Sequence, residues 1–135
     1  MESLKTQNDM QIQKFDHVNI HTTKLDELIG WYTQVLGLKE GFRPPFPFPG
    51  AWLYVGDTAY VHLVGRNGTD AVGSEVELKL EHFAFRATGA KAFEEKLVER
   101  GEKYRKSVIE ATNTVAINVW DPDGNHIHID FFLDE

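Results

Sequence analysis

Apolar and polar residues follow the same pattern twice along the chain. They alternate in residues 15–21 and again in 80–86, and this alternation predicts half-buried strands. Apolar residues at helical spacing follow each segment, and the two predicted helices end at Gly37 and Gly101, where a left-handed residue commonly stops a helix. The two halves therefore begin with the same strand and the same helix.

Three more strands are predicted after each helix. They cover residues 38–42, 51–55 and 59–64 in the first half, and 104–109, 115–120 and 126–132 in the second. The Pro-rich segment 43–50 is predicted to be a loop, and Asp121–Asn125 a tight turn between two strands. Thr22-Thr23 are predicted to cap the first helix, with Asp26 in the position of a capping box.

The chain is therefore predicted to repeat one βαβββ unit and to have a two-module α+β fold. The predicted organisation is a flexible tail (1–14) and a single domain (15–133). Within that domain, module one spans 15–66, a polar linker spans 67–78 and module two spans 79–133.

Composition narrows the classes of function. The 135 residues are 41% hydrophobic and 12% aromatic, enough for one domain with a core. The net charge of −7 argues against a nucleic-acid partner, and the absence of cysteine excludes disulfides, thiolate metal sites and cysteine nucleophiles. We find no apolar run long enough to span a membrane and no signal peptide, so we expect a cytoplasmic protein with no membrane partner.

Four of the six histidines occupy equivalent positions of the repeat. His17 and His82 lie in the first strand of each module, 65 residues apart, and His62 and His128 lie in the last strand, 66 residues apart. Each is flanked by apolar residues, so all four are predicted on the sheet face opposite the helices. Imidazole nitrogens converging on that face could bind one metal ion at about 2.0–2.2 Å.

A less specific interpretation also applies to these side chains. A single histidine on a polar strand face is most often solvated or hydrogen-bonded and binds no ion. The repeat favours the metal interpretation for the four equivalent histidines. The other two are interpreted as rim or surface residues: His21 and His126.

Four segments resemble the vicinal oxygen chelate superfamily, which includes glyoxalase I, extradiol dioxygenases, fosfomycin-resistance enzymes and bleomycin-resistance proteins. The segments are Asp16–Val18, Trp31–Leu38, Glu81–Phe85 and Asp121–Asn125. The resemblance implies that the two modules form an incomplete, cupped mixed β-barrel with the helices outside, commonly in a homodimer. It also implies one divalent metal per site, with Fe, Zn, Ni, Mn and Co all open as its identity.

Carried over position by position, the metal ligands of the family fall on His17, His62, His82 and His128. Most metal-binding members have Glu where this chain has His128. Glyoxalase I needs carboxylate ligands, one of which is implicated in proton transfer, and His62 and His128 leave this chain without that base. Asp130 lies on the same strand face and is a candidate ligand, partner of a ligand or base; an exposed C-terminal carboxylate is the alternative. We therefore name His128 and Asp130 as the candidate catalytic residues.

Other positions bear on the reaction. His21 stands where glyoxalase I has an arginine for glutathione, which disfavours a glutathione-dependent reaction. The extradiol dioxygenases use two histidines and one carboxylate, and His128 again occupies the carboxylate position. Asp16 and Glu81 directly precede their histidines and are expected to point away from the site.

Four residues are candidates for binding the substrate. Arg43, Trp52 and Tyr54 would supply an anion-binding group and an aromatic wall near His62, and Arg86 a second cation. The alternative for the loop around Arg43 is that its two Phe residues hold the Pro-rich segment against the domain or across a dimer interface.

The resemblance favours a metal-dependent enzyme that acts on a small carboxylate, dicarbonyl or catechol substrate held through two oxygens, as a lyase, an isomerase or a dioxygenase. A non-catalytic binding protein of the resistance type is the alternative. A metal-loaded structural homodimer without substrate is a weaker third interpretation.

Overall fold

The computed structural model describes residues 10–67, 80 and 82–134, and contains the predicted duplication. Module one consists of β1 (Val18–Thr22), α1 (Leu25–Gln34), β2 (Lys39–Gly41), β3 (Gly50–Val55) and β4 (Thr58–Gly65). Module two consists of β5 (Phe83–Arg86), α2 (Ala90–Arg100), β6 (Tyr104–Ile109), β7 (Thr114–Trp120) and β8 (His126–Phe132). Within the predicted linker and tail, only Asn67 and residues 10–14 are among the described residues.

Each module forms one mixed four-stranded sheet. The strand orders are β1-β4-β3-β2 and β5-β8-β7-β6, so the first strand of each module pairs in parallel with the last. The remaining pairs are antiparallel. The two sheets do not close into a barrel, and the predicted α+β fold of two βαβββ modules is confirmed.

One hydrophobic core joins the two modules, because the apolar faces of both sheets and both helices pack into a single cluster. In β8 the residues Ile127, Ile129 and Phe131 are buried in it, while His126 and His128 face the other side. The predicted separation of the histidines from the apolar face is thus confirmed for this strand. Neither helix is long and apolar enough to cross a membrane.

The start of α1 differs from the predicted capping box. The Thr22 hydroxyl accepts a hydrogen bond from the backbone N–H of Lys24 and donates one to Asp123. No side chain caps the helix itself, which begins at Leu25. Thr22 therefore ties the entry of α1 to the turn before β8 in module two. A capping motif read from sequence could not include a partner 101 residues away.

The turn between β7 and β8 is organised around the carboxylate of Asp121, which is 4% exposed. It accepts hydrogen bonds from the backbone N–H groups of Asp123 and Asn125, from the Asn125 side chain and from the Tyr32 hydroxyl, all at 2.9 Å. Burial raises the pKa of Asp121, and these hydrogen bonds oppose the rise only in part. Burial and, after it, the neighbouring Asp121 carboxylate raise the pKa of Tyr32 well above its usual value.

This raised pKa predicts a pH-dependent term in stability. Folded Asp121 keeps its proton at pH values where the unfolded chain has lost it. Its contribution to the free energy of unfolding is therefore complete below the ordinary carboxyl pKa, about 4, and falls as the pH rises through the raised pKa of the folded state. Urea unfolding of the protein and of Asp121→Asn across this window should show the difference in stability shifting in favour of the variant as pH rises. A difference that shifts the other way would contradict the assignment.

Candidate metal centre

The first histidine pair stands at the junction of β1 and β4. The rings of His17 and His62 stack, with centroids 3.9 Å apart and planes within 9°. Trp52 extends the stack, lying 4.0 Å from His62 at 10°. The register explains this second contact, because Trp52 and His62 are directly paired between β3 and β4. This agrees with the prediction that Trp52 lies beside the strand of His62.

Asp16 belongs to this cluster, contrary to the expectation that it points away. Its Oδ2 lies 2.6 Å from His17 Nδ1, and this hydrogen bond lowers the pKa of Asp16. The expectation assumed that the strand alternation begins at Phe15, but β1 begins at Val18 and leaves Asp16 free to turn. The ionised carboxylate holds a proton on Nδ1 of His17 and leaves Nε2 as the basic nitrogen.

His62 is the most buried of the six histidines, with 9% of its surface exposed. Burial is the main cause that lowers its pKa, and the neighbouring His17 adds to the effect. A lowered pKa favours the neutral ring, the form that can bind a metal ion or stack against aromatic rings at neutral pH.

The second histidine pair repeats this arrangement in module two. His82 and His128 stack with centroids 3.9 Å apart and planes within 9°. His126 lies beside both, at centroid distances of 5.4 Å from His82 and 4.8 Å from His128. One nitrogen from each of the three rings falls within 4.8 Å of the others. The module thus gathers three imidazoles in one place.

The four predicted ligands do not meet in one group within the chain. Among the described residues, the group of three or more metal-binding side chains consists of His82, His126 and His128. His17 and His62 belong to the other sheet. The four equivalent histidines thus form two stacked pairs, one in each module.

His126 was assigned to the rim on sequence grounds, and the structure places it in the group. The signal was present: His-Ile-His in a strand puts residues 126 and 128 on one face. Trp120 pairs with His126 across β7 and β8, and the two rings stack at 5.1 Å and 11°. His21, assigned to the surface on the same grounds, lies 3.3 Å from an Arg66 nitrogen at an exposed position.

Asp130 lies next to the group on the same face of β8. Its Oδ1 is 4.0 Å from Nδ1 of His128. This oxygen is buried and accepts no hydrogen bond from the described part of the chain. Its side chain is 27% exposed, so the alternative of a fully exposed terminal carboxylate does not hold. A buried carboxylate oxygen beside a ligand histidine is a common accompaniment of metal binding.

The remaining predicted binding residues lie in two different cavities. A cavity of about 520 Å³ in module one is lined by Arg43, Trp52 and Tyr54 together with His17 and His62. Arg86 instead lines a cavity of about 360 Å³. Its guanidinium also stacks on the ring of Phe132, 4.1 Å away.

The contacts of Arg43 and Tyr54 fit the structural alternative for the Pro-rich loop. Arg43 donates a hydrogen bond to the carbonyl of Phe48 and lies 5.1 and 5.0 Å from the rings of Phe46 and Phe48. Tyr54 donates one to the carbonyl of Phe42. Both side chains brace residues 42–48 at the cavity wall.

The residues of module two fit a divalent metal. Three imidazoles offer nitrogen ligands, and the Asp130 carboxylate lies beside one of them, with Oδ1 4.0 Å from Nδ1 of His128. Ligand nitrogens around a tetrahedral ion lie about 3.3 Å apart, so the group would contract by up to about 1.5 Å on binding.

The comparisons with known proteins agree with this fold. The model of the Glyoxalase/Bleomycin resistance protein/Dioxygenase superfamily matches residues 14–129. The chain belongs to this superfamily. The match covers both modules and includes His17, His62, His82 and His128.

Individual relatives are more distant. Glyoxylase I 4 of Arabidopsis thaliana is 28% identical over 127 residues, which are 90% of this chain and 72% of the relative. The glyoxylase/bleomycin resistance protein/dioxygenase domain from Frankia sp. superposes with a TM-score of 0.72 at 20% identity, covering 90% of this chain and 99% of that one. The fosfomycin resistance protein FosX from Listeria monocytogenes gives 0.69 at 11%, with 90% and 94% covered. The two structures support the fold alone.

Proposed function

We propose that this protein is a divalent-metal-dependent enzyme of the glyoxalase/dioxygenase type. Its substrate would be a small carboxylate, dicarbonyl or catechol bound through two oxygens. The observation that carries the proposal is the gathering of three imidazoles near a buried oxygen of Asp130 that no described residue hydrogen-bonds. Superfamily membership and the name of the Arabidopsis relative support an enzymatic role.

The side chains of module two divide the work. His82 and His128 would hold the ion, and Asp130, whose Oδ1 lies 4.0 Å from Nδ1 of His128, would place a negative charge beside that ligand. The ion would polarise the substrate oxygens and stabilise negative charge that develops on them. Asp130 is also the carboxylate residue of β8, next to this group. We therefore propose it as the base for any proton transfer in the reaction.

The residues of module one take part through a second copy of the chain. His17 and His62 remain proposed ligands, and as part of the other sheet they would reach the ion from a partner in a homodimer. The cavity beside them would then adjoin the metal, with Trp52 and Tyr54 as its aromatic wall and Arg43 as an anion-binding group. Arg86, on β5, is the corresponding candidate in module two. We also propose that the protein is cytoplasmic.

Metal removal tests this proposal. The protein freed of metal by chelation is expected to lose turnover of a panel of small α-hydroxy acids, dicarbonyls and catechols, and to regain it on addition of one of Zn²⁺, Fe²⁺, Ni²⁺, Mn²⁺ or Co²⁺. Metal content is measured by elemental analysis and turnover by absorbance. Turnover unchanged after complete metal removal, or protein that binds none of these ions, would overturn the proposal.

A binding protein without catalysis is the second candidate, and the stack of Trp52, His62 and His17 favours it. Three parallel rings in an aromatic-lined cavity suit a planar ligand without any chemistry. The same panel distinguishes the two: tight binding in a thermal-shift assay without turnover, in metal-loaded protein, would support the binding role.

A further inference from the structure

A buried asparagine lies in the middle of β7, a strand otherwise rich in apolar residues. Asn118 is 1% exposed and lies opposite His128 in the register of β7 and β8. A buried side-chain amide needs partners for both its NH₂ group and its carbonyl, because an unmade hydrogen bond here costs about 1–3 kcal/mol. The partners of Asn118 therefore determine which way its oxygen points.

The NH₂ group of Asn118 is committed to the side of β6. It donates to the carbonyl of Arg105 at 2.9 Å and to the Ser107 hydroxyl at 3.2 Å. A flipped amide would set its oxygen against the Arg105 carbonyl, and two acceptors repel. The orientation is thus fixed by a backbone group that only accepts hydrogen bonds.

The amide oxygen consequently faces His126. Nε2 of His126 lies 2.8 Å from Asn118 Oδ1, and this oxygen can only accept. Nε2 must therefore carry a proton, which makes Nδ1 the nitrogen with the lone pair in the neutral ring. Trp120 fixes the plane of the His126 ring, because the two rings stack with their planes within 11° of each other.

We propose that His126 is the third imidazole ligand of module two, bound through Nδ1, and that Asn118 is the residue that positions it. The inference rests on the proposed metal centre and names a ligand outside the four positions that the family resemblance supplied. With His82 and His128, it gives module two three imidazole ligands from one chain. With three imidazoles of module two and two substrate oxygens bound, a six-coordinate ion has one position left, so the partner subunit would supply either His17 or His62. The Arg105 carbonyl of β6 fixes the orientation of the Asn118 amide, and the Asn118 oxygen fixes the protonated nitrogen of His126.

An all-imidazole set has a consequence for the ion. Imidazole suits Zn²⁺, Cu²⁺, Fe²⁺ and Ni²⁺, whereas Mg²⁺ and Ca²⁺ prefer oxygen ligands. The centre is therefore expected to bind Zn²⁺ or Ni²⁺ far more tightly than Mg²⁺.

Metal affinity tests the ligand. In competition with a chromophoric chelator, His126→Gln is expected to bind Zn²⁺ at least about tenfold more weakly than the unmodified protein, as is Asn118→Leu, which removes the acceptor at similar size. His21→Gln is the matched control, because His21 is an exposed histidine outside the group. Thermal unfolding of every variant without metal shows whether the fold is intact.

A second measurement needs no substitution. In the metal-free protein at a pH where the ring is neutral, the ¹⁵N shifts of the His126 imidazole should show a protonated Nε2 and an unprotonated Nδ1, and addition of Zn²⁺ should move the Nδ1 resonance. In a folded Asn118→Leu variant the same signals should shift toward a mixture of tautomers. A merely structural role of Asn118 would leave the tautomer unchanged.

The outcomes separate this inference from the proposed function. Zn²⁺ affinity unchanged in His126→Gln but lost in His82→Gln would overturn the role of His126 and leave the metal centre standing. Affinity unchanged in both variants would overturn the metal centre itself. A metal-free His126 protonated at Nδ1 rather than Nε2 would refute the positioning by Asn118.

Discussion

Replacement of His128 by Gln is expected to weaken divalent-metal binding by at least about a hundredfold. Loss of a residue that only contacts a metal ligand costs up to about a hundredfold, and loss of a ligand itself should cost at least as much. His128 is in contact with both other members of the group, at 3.9 Å from His82 and 4.8 Å from His126 between ring centroids. It is also the ring nearest to the Asp130 carboxylate. Its loss therefore removes a proposed ligand and the ring that lies beside the Asp130 carboxylate. Calorimetric titration with Zn²⁺ measures the effect.

Asp130→Asn provides the graded comparison for this result. It keeps the size of the side chain and removes the negative charge next to the proposed ligand His128, so we expect a loss of about tenfold. Equal affinity in His128→Gln and the unmodified protein, with both folded, would show that the ion binds elsewhere. A larger loss in Asp130→Asn than in His128→Gln would make Asp130 the ligand.

Replacement of Asp121 by Ala is expected to lower the free energy of unfolding by about 3 kcal/mol, and at most about 5, since unpaired buried groups cost about 1–3 kcal/mol each and are not additive. The change leaves four donors without their acceptor, among them the hydroxyl of fully buried Tyr32. It also cuts a hydrogen bond between α1 of module one and the turn before β8 of module two. Urea unfolding followed by circular dichroism measures the loss.

Tyr32→Phe isolates one part of that effect. It removes the hydroxyl alone, and we expect a loss of about 1–2 kcal/mol because Asp121 keeps its other three donors. The double variant should then lose less than the sum of the two single ones, as expected for residues in direct contact. Strict additivity would mean that the two side chains do not interact in solution.

The duplicated fold was accessible from the sequence because its signals are local and occur twice. Strand alternation, apolar residues at helical spacing and the two glycines all act within a few residues, and Gly37 and Gly101 have the expected positive φ, 79° and 70°. Gly101 directly follows α2 as predicted, whereas α1 already ends at Gln34, before Gly37. The strands predicted at 104–109 and 126–132 have the observed bounds. The equivalent histidines followed from the same repeat.

What sequence missed depends on contacts between distant segments. Thr22 bonds to Asp123 rather than capping α1, and Asn118 reaches His126 through strand register alone. The four histidines divide between two sheets because each module completes its own sheet, a choice of strand pairing that no local pattern encodes. His126 differs, because the strand alternation alone places it beside His128. It was assigned to the rim because a single histidine on a polar strand face is seldom a metal ligand.

The parallel pairing of β5 with β8 brings together strands at opposite ends of module two. The neighbouring strands β6, β7 and β8 connect through short turns, so they can assemble early, whereas β5 must close a long loop and its pairing costs the most chain entropy. His82 directly precedes this strand, while His126 and His128 lie on β8. A bound ion would cross-link the slowest-forming contact of the module, so its residence time would depend on how often β5 detaches.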